Sequence, residues 1–129
     1  MLQKRKAVFD LYDDYLSSKE WALLPFKKDD KAETCYHLYP LRIKGFNEDM
    51  RNKLIEMMAR AGIATNVHFI PLPMFTLYKN LGYSIKDYPN AYEQYANEIT
   101  LPLYSKLSLD DARIVVTNLI KFAEQILSE

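Results

Sequence analysis

The side chains in this sequence best able to do chemistry are few: His37, His68 and Cys35 are its whole complement of histidine and cysteine. An imidazole donates, accepts or shuttles a proton near neutral pH, so the histidines come first. His68 stands in GIATNVHFIPLPMFTLY, residues 62–78. There Gly62 reads as the left-handed stop of a preceding helix, and Pro71 and Pro73 bracket a turn. The alternating residues between them predict a short strand, which would hold His68 at the junction with a rigid loop. Such junctions are where binding groups gather. The plainer reading is that His68 merely closes the strand.

Other chemistries find less support. With neither HExxH nor CxxC, and with the acids dispersed, no metal-ligand spacing occurs. The three glycines, Gly45, Gly62 and Gly82, lie too far apart for GxGxxG or a Walker loop, and there is no G-x-S-x-G elbow. Lys79, Lys86 and Lys106 lie near turns, but a Schiff-base lysine needs a desolvated pocket and a phosphate cup, of which the sequence gives no trace. The residues by themselves describe a domain that binds or assists.

Positioning these groups takes one domain, which 129 residues with 49% hydrophobic content can close around a core. Seventeen basic and seventeen acidic residues cancel, with no long block of either sign, so the footprint of a nucleic-acid binder is missing. Cys35 is alone and suits a reducing cytoplasm; its expected role is as a small packing group. No apolar run approaches the roughly 20 residues that cross a bilayer, and the opening residues mix acids with apolar positions, unlike an export signal or anchor. Ten tyrosines and six phenylalanines are many for this length and suggest an aromatic surface for a partner.

Periodicity then sets out the elements. Val8, Phe9, Leu11, Tyr12, Tyr15 and Leu16 fall at helical spacing over residues 4 to 17. The stretch around Pro25 and KKDDKAE reads as a solvated loop. CYHLYPLRIK, residues 35–44, predicts a strand with His37, Tyr39, Leu41 and Ile43 on one face and Tyr36, Leu38 and Arg42 on the other. Pro40 within it cannot donate to a ladder and marks an edge strand or a bulge. Asn47 caps a helix with Glu48 and Asp49 in its first turn, Met50, Leu54, Met57, Met58 and Ala61 along one side, and Gly62 at its end. Met57 and Met58 are expected as core filler. A further helix starts at Pro89 and runs to Asn97, and ITLPLY, residues 99–104, reads as a strand end or edge. Ser108 caps a last helix, with Asp111 in a shortened capping box, along which Ala112, Val115, Val116, Leu119, Ile120, Ala123, Ile126 and Leu127 form an apolar stripe. Three short strands with helices between them predict an α/β two-layer sandwich, a small three-stranded sheet covered on one face.

The segments YHLYPLRI, RNKLIEMMARAGIATNVHFIPLP and LYKNLGYSIKDYPNAYEQYANEITLPLYSKLS, in that order, resemble the C-terminal domain of the DegT/DnrJ/StrS family of pyridoxal-phosphate-dependent sugar aminotransferases. The resemblance covers nearly the whole chain, with residues 1–18 matching the family's linking helix. It implies the small domain of a fold-type I enzyme that makes amino sugars for surface polysaccharides from nucleotide-linked keto sugars. It also implies a homodimer, and glutamate as amino donor. The large domain, which holds pyridoxal 5'-phosphate and its lysine, would be absent, so this chain alone would bind no cofactor and be inactive. His68 and Phe69 match the family's His-Tyr or His-Phe position beside the active-site opening and are the expected substrate-side residues. His37 and Arg42 match its first strand, as support. Pro73 falls where many members carry a second histidine, so that contact is not expected here. The competing reading is a stand-alone α/β interaction module derived from such an enzyme.

Overall fold

The structure, a computed structural model, describes residues 2–129. Helix α1 (Leu2–Leu16) buries Val8, Phe9, Leu11, Tyr12 and Leu16, the stripe its spacing predicts. Strands β1 (Ala22–Leu23) and β2 (Tyr39–Ile43) follow, then helix α2 (Glu48–Arg60), short helix α3 (Thr76–Asn80), helix α4 (Pro89–Ala96), strand β3 (Glu98–Leu101) and helix α5 (Leu109–Leu127). The Asn47 side chain accepts from the Met50 N–H, Ser108 accepts from the Asp111 N–H, and Gly62 has φ +83°. Each satisfies or releases backbone groups that a helix end leaves unpaired.

The sheet is antiparallel, in the order β1-β2-β3. Alternation sends Tyr39, Leu41 and Ile43 of β2 to one face, where with Ile99 and Leu101 of β3 they meet the buried stripes of α1, α2 and α5 in a single core. This is the two-layer α/β arrangement. Met58 is fully buried in it and Met57 packs at its edge, as expected of methionine filler. Edge-on aromatic pairs lock α1 to β2: Phe9 lies 4.8 Å and Tyr12 5.0 Å from Tyr39, centroid to centroid.

The sheet's membership differs from expectation in three places. Residues 63–70 form no strand; a single bridge joins Asn66 to Thr100, after which the Val67 N–H turns to the Asn66 side chain and the His68 N–H to the Glu98 carboxylate. Side-chain acceptors thus take the N–H groups a ladder would use. The third strand is instead β1, in the stretch read as loop. Pro40 lies in the central strand, opposite Thr100, whose own N–H and C=O turn outward to Asn66. The Pro40 nitrogen therefore points toward β1, which reaches only Arg42 and Ile43, so no ladder bond is lost.

Strand β2 also starts later than predicted. Tyr36 has φ +54° and is buried against Phe9 at 5.1 Å, which reverses the alternation and leaves His37 and Cys35 exposed. Neither His37 on the inner face nor Cys35 as a packing group stands: the inward position belongs to the larger ring of Tyr36. Among the described residues no helix is long and apolar enough to cross a membrane.

Candidate functional site

The outer face of the sheet, turned away from α1, α2 and α5, carries Pro40 and Arg42 of β2 opposite Thr100 and Glu98 of β3. A cleft of about 550 Å³ lies on this face, lined by Leu23 at the end of β1, the loop residues Leu24, Pro25 and Phe26, the segment His68 to Phe69, and also Leu38 and Gln94. Aliphatic and aromatic walls with a few convergent polar groups are the usual make-up of a small-molecule site. Phe69 is 73% exposed.

Three of the cleft's polar side chains, Arg42, Glu98 and His68, are held in place. The Arg42 Nε donates to Asn97 Oδ1 at 3.0 Å, and Asn97 is itself buried, its C=O accepting from the Ile43 N–H. Glu98 is only 2% exposed. One of its carboxylate oxygens accepts the His68 N–H at 2.9 Å, and the other accepts the Thr100 hydroxyl. Burial pushes the Glu98 carboxyl above the usual carboxylate range, and these two hydrogen bonds pull against that shift. The Thr100 Oγ1 lies 2.8 Å from His68 Nδ1, and the His68 ring meets the Phe69 ring edge-on at 4.7 Å.

Three of the four expected site residues, His68, Phe69 and Arg42, therefore share one cleft. His37 does not join them. It lines a smaller neighbouring cleft with Thr34, behind the Pro25, Phe26, Leu38 and Pro40 wall common to both. The sequence reading missed Glu98 and Thr100. The signal was present in the period of two in EITL, where Ile99 and Leu101 turn to the core and Glu98 and Thr100 to the other face.

Holding pyridoxal phosphate takes a lysine for the imine and a backbone cup for the phosphate. Neither of these two clefts is lined by a lysine or a glycine, and the one carboxylate present is already engaged by Thr100 and His68. The residues of this site do not fit that cofactor. Among the described residues, no group of histidine, cysteine and acids is placed to hold a metal ion.

Comparison with known proteins extends the picture. The model of the DegT/DnrJ/EryC1/StrS aminotransferase family matches residues 1–120. A UDP-4-amino-4,6-dideoxy-N-acetyl-beta-L-altrosamine transaminase of Campylobacter jejuni is 30% identical over 129 residues, covering 97% of this chain and 33% of that protein. The spore coat polysaccharide biosynthesis protein SpsC of Bacillus subtilis is 31% identical over 119 residues, covering 90% of this chain and 30% of its own length. Among solved structures, the PLP form of a Streptococcus pneumoniae protein assigned as a sugar aminotransferase superposes with a TM-score of 0.93 at 39% identity, over 98% of this chain and 32% of that one. The chain thus spans about a third of the length of the relatives it matches.

Proposed function

Because this chain belongs to the DegT/DnrJ/EryC1/StrS aminotransferase family, we propose that it is the C-terminal small domain of a transaminase acting on nucleotide-linked keto sugars, and that its cleft walls the substrate side of the active site. The observation that carries this reading is the convergence of His68, Phe69 and Arg42 on one cleft of the sheet's outer face. Phe69 offers an apolar face for a sugar or base ring, Arg42 a cation for phosphate oxygens, and His68 a polar group for a hydroxyl. The amine chemistry belongs to a cofactor site outside this chain, and orientation of the sugar is what these residues contribute. Bacterial relatives named for amino-sugar and spore-coat polysaccharide work support the substrate class.

The test uses an assembled enzyme that contains this chain. His68→Ala is expected to lower kcat/KM for the sugar nucleotide on the order of ten- to a hundredfold, the range for a lost substrate hydrogen bond, while leaving affinity for pyridoxal phosphate unchanged. Kinetics equal to wild type would remove His68 from the site.

The segment beyond the site supports a partner surface. Phe69, Leu72, Leu77 and Leu81 are 73%, 59%, 63% and 65% exposed within 13 residues of chain. Apolar groups gathered in this way mark interaction sites. The isolated chain is therefore expected to self-associate, its mass by light scattering rising with concentration. A constant monomer mass into the millimolar range would show that this surface tolerates water unaided.

A further inference from the structure

The hydroxyl of Thr100 has a single hydrogen, and it is donated to the Glu98 carboxylate, which when ionised can only accept. The same oxygen lies 2.8 Å from His68 Nδ1. With its hydrogen committed, Thr100 Oγ1 can meet Nδ1 only as an acceptor, so Nδ1 must carry the ring proton. In the neutral ring the second nitrogen, Nε2, is then bare and available to the cleft that His68 lines.

We propose that Glu98 and Thr100 are positioning residues that hold His68 as the Nδ1–H tautomer, so that Nε2 presents a hydrogen-bond acceptor to a hydroxyl or N–H donor of the sugar substrate. The part concerning substrate rests on the reading that this cleft walls the substrate side. The tautomer itself does not.

Burial makes the relay effective. Glu98 is 2% and Thr100 6% exposed, so water does not compete for either, and the second Glu98 oxygen is occupied by the His68 N–H at 2.9 Å. One carboxylate thereby fixes both the backbone and, through Thr100, the ring of the same histidine. A second-layer partner that sets which imidazole nitrogen is protonated is a general device for tuning histidine.

The relay has a reversing substitution. In Glu98→Gln the amide oxygen must face the His68 N–H, which can only donate, and this turns the amide NH2 toward Thr100. The hydroxyl now accepts from the amide, its hydrogen is released toward Nδ1, and the ring proton moves to Nε2. A change of one atom pair in an isosteric side chain thus inverts the tautomer.

Nitrogen-15 correlation spectra of the imidazole rings at pH 8.5 test this on the chain itself, because Nε2 couples to both ring carbon-bound protons and Nδ1 strongly to only one. Wild type is expected to favour Nδ1–H at His68 by about tenfold, the worth of a well-formed buried hydrogen bond. Glu98→Gln should reverse the preference, Thr100→Val should abolish the Nδ1–H bias, and Thr100→Ser should restore it, with backbone amide spectra confirming that each variant is folded. An Nε2–H ring in wild type, or an unchanged ring in folded Glu98→Gln, would overturn the relay.

In the assembled enzyme, Glu98→Gln should lower kcat/KM for the sugar nucleotide but add nothing to His68→Ala, the signature of two residues acting through one group. If the tautomer inverts without kinetic effect while His68→Ala is impaired, the acceptor role of Nε2 is wrong and the site stands. If His68→Ala is itself unimpaired, the substrate-side reading fails, and the spectra still decide the relay.

Discussion

Val116→Asp is expected to abolish the cooperative melting transition of this chain. Val116 is fully buried on α5, and every other buried residue of that helix, Ala112, Val115, Leu119, Ala123 and Ile126, is apolar. An aspartate there would have neither water nor a cation, at a cost of several kcal/mol for an unpaired buried charge. Loss of the valine side chain's burial adds about 1.5 kcal/mol or more. A domain of this size has a total stability of about 5 to 15 kcal/mol, so the sum is comparable to the whole. Thr117→Asp, one residue along on the exposed side, makes a similar chemical change in water and should shift stability by about 0.5 kcal/mol or less. Circular dichroism melts of the pair decide the matter. A transition retained in Val116→Asp would mean that the stripe of α5 does not face the core.

The second large effect is expected in alkali. Tyr12 and Tyr39 are fully buried; the Tyr12 hydroxyl donates to the Pro102 C=O at 2.6 Å, and the Tyr39 hydroxyl donates to Asp13 Oδ1 at 2.7 Å. Burial raises both phenols well above their ordinary range. For Tyr39 the hydrogen bond to Asp13 and that group's negative charge raise it further. In the unfolded chain the same phenols ionise near pH 10. Above that pH the folded state holds protons that the unfolded state has released, so stability is fully present below about pH 10 and is lost as pH rises toward the folded values. Each group contributes about 1.4 kcal/mol per pH unit, so these two alone should give a fall close to 2.7 kcal/mol per unit. Denaturant midpoints measured from pH 8 to 11.5 should be flat at first and then drop steeply. Tyr39→Phe should take about 1.4 kcal/mol per unit off the alkaline slope while costing about 1 to 3 kcal/mol at pH 8, because the partly buried Asp13 loses its donor. A pH-independent midpoint up to 11.5 would show that these hydroxyls reach solvent.

Both predictions use parts of the molecule that local pattern announces. The periodic stripes of α1 and α5, the Asn47 and Ser108 caps and the glycine stop at Gly62 all depend on residues within a few positions of one another. Most of the helical layer was therefore readable, as was the presence of a small sheet. The errors fall where distant groups compete. The strand expected at 63–70 is reduced to one bridge because acceptors on Asn66 and Glu98 capture its N–H groups, and Glu98 lies 30 residues from His68. Strand β1 is two residues long, too short for any periodicity, and exists because Ala22 and Leu23 find Ile43 and Arg42. Alternation alone groups His37 with Tyr39, and the turn at Tyr36 breaks that alternation.

Local pattern is enough to single out His68, Phe69 and Arg42, the stripes that make the helices, and the motif order by which the family is known. The tertiary structure decided which of those side chains meet: antiparallel pairing of β2 with β3 places Arg42 opposite Glu98, and the bridge at Asn66 carries His68 to Thr100. The reason is one of range. Helix periodicity and capping are set by neighbours in the chain, whereas the register between strands some 58 residues apart is set by packing of both against the same core, and only that register brings carboxylate, hydroxyl and imidazole into line.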